Sequence, residues 1–155
     1  MNKIGVPYFI SHGTLLGWYR ECGFIRHTTD VDIGIPIEDL LLRKDDIKNA
    51  FIEVGITPWK SFGSAEMGLE FSFQDKASKS KMDIFSFYHE YVIRDGKQIP
   101  QIFNWVWYKS EFARKMSFPL EGFMKVNLSN VVVYAPSNVY IYIIFNKKIM
   151  FFFFF

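Results

Sequence analysis

Alternating apolar and polar positions divide the first part of the chain into a strand, a helix and a second strand. Residues 6–11 are apolar and aromatic, which is typical of a buried strand. Thr14 is a favourable helix N-cap, and the pattern predicts a helix from there to Cys22, closed by Gly23. In residues 29–35 every second residue from Val31 is β-branched, so a second strand is predicted there.

The rest of the pattern predicts one more helix and then mainly strands. A helical stripe runs from Leu40 to Val54 and ends at Gly55. Further strands are predicted at residues 56–62, 69–74, 81–88 and 131–134, whereas the aromatic segments 102–108 and 123–127 are not assigned to an element by the pattern. A polar hairpin turn joins the second and third of these strands, and Pro136 is expected to open a helix. This order predicts one α/β domain with a mixed sheet.

The composition is that of a folded domain with a sizeable core. Half of the 155 residues are hydrophobic. The chain has 18 Lys and Arg and 16 Asp and Glu residues, which gives a net charge of +2. So small a charge does not indicate a nucleic-acid-binding stripe. The one cysteine, Cys22, excludes an internal disulfide and a zinc site built on several thiolates. The first residues show no signal-peptide pattern.

Phenylalanine is in excess, and the excess is concentrated at the end of the chain. Of 18 Phe residues, five are the last five of the sequence. The apolar runs in residues 139–155 are shorter than the roughly 20 residues that span a bilayer, and consecutive phenylalanines are an aggregation liability. We expect residues 1–138 to form the domain and residues 139–155 to be a divergent aromatic tail, translated from non-coding sequence. A membrane-dipping hairpin is the alternative interpretation of the tail.

Asp30 and Asp32 are the first candidates for chemistry. At positions i and i+2 of a strand, their side chains point to the same side, about 7 Å apart. Mg²⁺ and Mn²⁺ favour carboxylate, water and phosphate oxygens, so one cation between them accepts an oxygen from each. Two solvated aspartates on an exposed strand face would give the same pattern.

Asp83 strengthens the metal hypothesis. It is the one acid in the apolar strand predicted at residues 81–88, and a buried aspartate is costly unless it is paired or metal-bound. If its strand lies beside that of Asp30 and Asp32, three carboxylates converge in a geometry suited to phosphoryl transfer. An ion pair with Lys81 or with an arginine is the structural alternative.

Residues 12–14, His-Gly-Thr, are predicted to form a phosphate-binding turn. Gly13 lets the backbone approach a phosphate closely, and the free amides at the start of the helix form an anion site. Any helix can begin in this way, so the prediction depends on the position of the turn one helix before Asp30. Arg20 is a candidate phosphate ligand on the same helix, with a structural ion pair as the alternative. His12 either donates a hydrogen bond to the phosphate or packs in the core.

Trp105, Trp107 and Tyr108 form an aromatic segment with two interpretations. Their rings could stack on a sugar or a base. At strand spacing, however, such residues more often belong to the core.

Residues 8–35 resemble the fukutin and LicD-type transferase family, within the nucleotidyltransferase superfold. The resemblance rests on the Gly-Thr-Leu-Leu-Gly run of residues 13–17, on Arg20, Gly23 and Ile25, and on the pair Asp30 and Asp32. Residues 69–74 and 81–85 resemble later segments of the family in the same order, so the resemblance extends over about residues 6–138. The animal fukutin branch fits better than the bacterial one.

The resemblance implies a nucleotidyltransferase-like mixed β-sheet flanked by helices, truncated at both ends. It implies a metal-dependent phosphotransferase that moves a phosphorylated alcohol, such as ribitol 5-phosphate, from a CDP-linked donor to a glycan or glycoprotein. In fukutin relatives the glycan is an O-mannosyl chain, and LicD-type relatives use CDP-choline. The implied location is the Golgi, with membrane attachment only through an anchor that this chain lacks.

The resemblance also implies roles for individual residues. Asp30 and Asp32 would bind Mg²⁺ or Mn²⁺, and Asp83 would complete the metal site and help to activate the acceptor hydroxyl. Gly13 and Thr14 would hold the donor phosphates.

Some positions depart from the family pattern, and two other functions stay open. Arg26 stands where the family usually has Pro, and Thr28 and Thr29 stand where LicD-type sequences carry additional acids. The alternatives are a nucleotidyltransferase that acts on a small molecule and an inactive, truncated paralogue.

Overall fold

The computed structural model describes residues 1–108, 112–119, 121–140 and 143. A short 3-10 helix, Asn2–Ile4, precedes the main elements. These are, in chain order, β1 (Phe9–Ile10), α1 (His12–Glu21), β2 (Asp30–Pro36), α2 (Ile37–Glu53), β3 (Ile56–Phe62), β4 (Glu70–Asp75), β5 (Lys81–Arg94), β6 (Lys97–Tyr108), β7 (Phe112–Pro119), β8 (Phe123–Leu128) and β9 (Val131–Pro136).

A mixed sheet forms the framework, with β2 and β5 near its centre. Its strand order is β1-β2-β5-β4-β3. β2 and β5 run parallel, whereas β1, β3 and β4 are antiparallel to their neighbours. The second half of β5 pairs with β6, which pairs with β7. β8 and β9 form a separate hairpin.

The two helices cover opposite faces of the sheet. The β-branched residues of β2 point toward α2, so the aspartates between them point to the other face. The cluster under α2 contains Val6, Ile33, Ile35, Leu40, Ile47, Phe51, Phe73 and Ile84. On the other face, α1, β7 and the β8–β9 hairpin bury a cluster that includes Leu15, Leu16, Phe87, Ile102, Phe118, Leu128 and Val133.

The predicted mixed α/β fold is confirmed, with differences at element ends. α1 begins at His12, with Ser11 as its N-cap residue, and not at Thr14. Pro136 ends β9 and does not itself begin a helix, but the described residues 139, 140 and 143 that follow it are helical, so a helix is found shortly after Pro136. β5 extends to Arg94 because β6 returns along it as a partner. β7 was not predicted, since cationic residues interrupt its apolar pattern.

The tail prediction mostly concerns residues outside those described. Of residues 139–155, the structure describes positions 139, 140 and 143. Val139 and Ile143 are buried in the cluster beneath the β8–β9 hairpin. The non-coding origin of the tail stays a prediction. Among the described residues, no helix has both the length and the apolarity needed to cross a membrane.

Candidate active site

Three predicted carboxylates lie on one face at the centre of the sheet. In the parallel pairing of β2 with β5, Asp32 lies beside Asp83, and Asp30 lies beside Lys81. Residues paired in register project to the same face, so the three aspartates share the face that points away from α2. The condition set for a shared site is therefore met, because the strand of Asp83 lies beside that of Asp30 and Asp32.

Asp32 is held by the first residues of α1. Its Oδ2 accepts hydrogen bonds from the backbone N–H of Gly13 at 2.8 Å and of Thr14 at 3.4 Å. The N–H of Asp32 donates to Thr14 Oγ1 at 2.8 Å. A Cβ on Gly13 would lie 3.0 Å from Asp32 Oδ2, so the glycine is what allows this close approach.

The Asp32 carboxylate therefore occupies the anion site at the start of α1. The amides of Gly13 and Thr14, which were predicted to bind donor phosphates, donate to the Asp32 carboxylate. The helix N-terminus therefore orients this carboxylate and stabilises its negative charge. The role of Gly13 and Thr14 in binding a donor stays a prediction.

Asp83 is held from the other side by β4. Ser72 is its register partner on β4, and Ser72 Oγ donates to Asp83 Oδ1 at 2.5 Å. Within the described part of the chain, Asp83 makes no ion pair with Lys81 or with an arginine. The ion pair with Lys81 or with an arginine, which was the alternative interpretation of Asp83, is therefore not found among the described residues.

Glu70 is a fourth carboxylate at this face, and it was not among the site residues predicted from the sequence. It lies two residues before Ser72 on β4, on the same face of the sheet. Burial and the nearby charges of Asp83 and Asp32 raise its pKa to about 7. The alternation of Glu70, Ser72 and Gln74 with apolar residues was the available signal, because the same period of two identified the β2 aspartates.

The carboxylates raise one another's pKa because they lie close together and partly out of water. Burial, and next the charge of Asp83, raise the pKa of Asp32 to about 7, although the Gly13 and Thr14 amides oppose this shift. Burial also raises the pKa of Asp83, and the Ser72 hydrogen bond opposes it. A cluster of this kind favours either bound protons or a bound cation near neutral pH.

His12 packs beside the cluster as a neutral ring. Its ring lies 4.2 Å from that of Phe85, centroid to centroid. Its Nδ1 is 3.1 Å from Ser11 Oγ, and its Nε2 is 3.2 Å from Asn104 Nδ2. Burial lowers the pKa of His12 to about 4, so the ring is uncharged at neutral pH. Of the two interpretations of His12, the structure shows the packing one.

Arg20 lies at the other end of α1 from the carboxylates. It is exposed in the last turn of the helix, and it makes no ion pair with any described residue. Six residues separate it from Thr14, which is about 9 Å along the helix axis. The structure therefore does not bring Arg20 to the start of α1, and its phosphate-binding role stays a prediction.

Trp105 and Trp107 take part in packing around the β3–β4 connection. Trp107 Nε1 donates to Gly68 O at 2.8 Å. The Trp105 ring meets Phe103 edge to face at 6.5 Å between centroids. The side chain of Tyr108 lies outside the described part.

The carboxylates fit a hard divalent cation whose coordination a substrate completes. Asp32 Oδ1 and Asp83 Oδ2 accept no hydrogen bond from the described residues, so register neighbours each offer one oxygen. Over the described ranges, no group of three or more His, Cys, Asp or Glu side chains is arranged to hold a metal by itself. Mg²⁺ commonly uses one or two carboxylates together with waters and substrate phosphates, which matches this donor set.

The sheet, the two helices and the acidic strand pair define a nucleotidyltransferase-like domain. The structure is similar to the crystal structure of the lincosamide antibiotic adenylyltransferase LnuA in its lincomycin-bound form, with a TM-score of 0.50 and 13% sequence identity. The similarity covers 99% of this chain and 78% of that one. At this identity it shows the fold alone.

The family follows from the sequence. The family model described as LicD/FKTN/FKRP, nucleotidyltransferase domain, matches residues 5–138, and the chain belongs to this family. The ribitol-5-phosphate transferase FKTN of Macaca fascicularis is 49% identical over 90 residues, which is 58% of this chain and 19% of that protein. The Homo sapiens protein of the same name is 48% identical over the same shares. The match thus spans about a fifth of these relatives, and the predicted fukutin resemblance is confirmed.

Proposed function

We propose that this domain transfers a phosphorylated alcohol, ribitol 5-phosphate, from a CDP-linked donor to a glycan on a glycoprotein. Membership of the LicD/FKTN/FKRP family and the name of the mammalian relatives support the transfer of a phosphorus-containing group. The family resemblance supports the CDP-linked donor and the Golgi as the compartment. The observation that carries the proposal is the register of β2 with β5, which places Asp32 beside Asp83 at the start of α1.

The residues of this chain divide the work of such a transfer. The amides of Gly13 and Thr14 fix the orientation of Asp32 through Oδ2, and Asp32 Oδ1, which accepts no hydrogen bond from the described residues, stays available to a cation. Ser72 holds Asp83 through one oxygen and leaves the other available. That oxygen would bind the cation, and the family resemblance supports a part for Asp83 in activating the acceptor hydroxyl.

The metal would be held by Asp32 and Asp83 together with waters and the phosphates of the substrate. Asp32 and Asp83 offer one free oxygen each, and Asp30 lies on the same face. Mg²⁺ or Mn²⁺ bound there would supply neutralisation of the charge that develops on the phosphate oxygens during transfer. Glu70 adds negative charge at the β4 side of this group and so increases its attraction for a cation.

Donor binding tests the proposal. Calorimetric titration of the purified chain with CDP-ribitol should show binding that requires Mn²⁺. Asp32→Asn and Asp83→Asn should each weaken it by about tenfold or more, which is about 1.4 kcal/mol. Asp46→Asn is the matched control, because Asp46 lies in an exposed ion pair with Arg43 on α2 and should leave binding unchanged. Equal binding with and without Mn²⁺, or by all the variants, would contradict the proposal.

A further inference from the structure

A chain of three polar side chains joins the start of α1 to β6. Asn104 on β6 and Ser11, just before α1, are each 0% exposed. His12 lies between them, with its Nε2 3.2 Å from Asn104 Nδ2 and its Nδ1 3.1 Å from Ser11 Oγ. An amide nitrogen donates and does not accept, so Nε2 of the neutral ring is the acceptor and Nδ1 carries the proton. The two hydrogen bonds therefore fix both the orientation and the tautomer of the ring.

The backbone of His12 has a conformation that is costly for a residue with a Cβ. Its φ is +42°, in the left-handed region. This conformation turns the chain from β1 into α1, directly after the extended Ser11 with φ −134°. The next N–H along the chain is that of Gly13, which donates to Asp32 Oδ2 at 2.8 Å. The backbone torsions of His12 therefore set the direction of the N–H that holds Asp32.

The side chain of His12 is anchored on two strands beside the carboxylate cluster. Its ring packs on Phe85, which lies two residues after Asp83 on the same face of β5. Asn104 comes directly after Phe103, the last residue of β6 that pairs with β5. The anchor thus lies where β5 changes its antiparallel partner from β4 to β6.

Asn104 is an unfavourable residue for packing alone. Its Oδ1 is buried and accepts no hydrogen bond from the described residues. The residues two positions away on the same face of β6, Ile102 and Val106, are apolar and pack in the cluster beneath α1. A buried carbonyl without a donor is costly, and an apolar side chain of similar size avoids that cost. Together with the strained φ of His12, this cost indicates a functional role.

We propose that His12 and Asn104 are positioning residues for Asp32. Asn104 holds the His12 ring, the ring stabilises the left-handed His12 backbone, and this backbone directs the Gly13 N–H at Asp32. Both side chains act through this hydrogen bond and need no contact with a donor or a cation. The inference rests on the proposed function for the role of Asp32, whereas the Gly13 hydrogen bond can be measured without it.

Amide hydrogen exchange of the metal-free chain, followed by NMR, measures this hydrogen bond. The double variant His12→Phe/Asn104→Leu replaces both polar partners with apolar side chains, so its melting temperature should stay close to that of wild type. Its Gly13 N–H should exchange about tenfold faster, while the amides of β5 keep their protection. His12→Gln supplies an acceptor in place of Nε2 and should keep Gly13 protected. Tyr88→Phe is the matched control, because it removes a buried hydroxyl that Ser86 Oγ contacts at 3.1 Å on the other face of β5.

The outcomes distinguish a positioning role from a structural one. Unchanged exchange at Gly13 in the double variant overturns the inference, and so does faster exchange throughout the chain. Asn104→Leu alone carries the same expectations, and it decides the matter if the double variant melts early. Loss of Gly13 protection in His12→Gln equal to that in the double variant also overturns the inference, since the hydrogen bond from Asn104 would then have no effect.

A Mn²⁺ titration separates this inference from the proposed function. The affinity for Mn²⁺ should fall about tenfold in the double variant, because Asp32 loses its fixed orientation. Unchanged affinity despite a loosened Gly13 amide would overturn the positioning of Asp32. If the wild-type chain binds no Mn²⁺ while Gly13 exchange still depends on His12 and Asn104, the metal-dependent reaction fails and the positioning role stands.

Discussion

Replacement of Asp32 by Asn should make the protein more stable at high pH while it weakens the proposed binding of a divalent cation. The substitution keeps the shape of the side chain and an oxygen that accepts from the Gly13 amide. It removes the charge that Asp83 and Glu70 oppose. In the wild-type chain, the negative charge at this position therefore lowers the free energy of unfolding at neutral and alkaline pH.

The size and sign of this stability difference follow from the raised pKa of Asp32. Burial and Asp83 raise the pKa of Asp32 to about 7, about three units above its value in an unfolded chain, and each unit is worth about 1.36 kcal/mol. The folded state holds the Asp32 proton more tightly than the unfolded state does. The contribution of protonated Asp32 to the free energy of unfolding is therefore fully present below about pH 4 and is lost as the pH rises through about 7. At pH 8, Asp32→Asn should thus be more stable than wild type by as much as about 4 kcal/mol.

Urea unfolding at pH 4.5 and pH 8 with a metal chelator present measures this difference. The free energies of unfolding of the two proteins should be close at the lower pH and well separated at the higher one. Added Mn²⁺ at pH 8 should stabilise the wild type and have little effect on the variant. Parallel pH profiles for the two proteins would refute the placement of Asp32 within a mutually repelling cluster.

Three further substitutions test the contacts around the site. Gly13→Ala should weaken Mn²⁺ binding about tenfold, because its Cβ would press on Asp32 Oδ2 at 3.0 Å. Its melting temperature should stay unchanged; calorimetry measures the binding and a thermal melt measures the melting temperature. Glu70→Gln should stabilise the chain at pH 8 by about 1 to 3 kcal/mol in urea unfolding, since its raised pKa makes the charged form costly. Gly68→Ala should destabilise the fold by about 2 kcal/mol in the same assay, because its φ is +63° and its Cβ would lie 2.7 Å from Trp105 Cβ.

The core of the candidate site could be predicted from local sequence pattern. The period of two places Asp30 and Asp32 on one face of β2, and the one acid in an apolar strand identifies Asp83. The adjacency of the two strands was a condition for the site that the sequence did not establish, and the pairing of β2 with β5 meets it. These features depend on single strands and on the general cost of burying charge.

The features that were missed depend on contacts between distant parts of the chain. Glu70 joins the cluster only because β4 pairs with β5 in the observed register. The contact of Lys81 with Trp59 crosses β4 and follows a register shift in β3 between Pro58 and Lys60. The hydrogen bond from the Gly13 amide to Asp32 likewise results from how α1 packs against β2. The alternation in β4 indicates the face on which Glu70 lies, but no local pattern encodes the contacts that bring these residues together.

The reaction itself is the most direct test of the central claim. The purified chain would be incubated with CDP-ribitol, Mn²⁺ and an O-mannosyl glycopeptide, and nucleotide products would be separated by chromatography. The account predicts release of CMP with a matching gain of ribitol phosphate on the glycopeptide, both lost in Asp32→Asn. Release of pyrophosphate from a nucleoside triphosphate, without CMP release from CDP-ribitol, would contradict it.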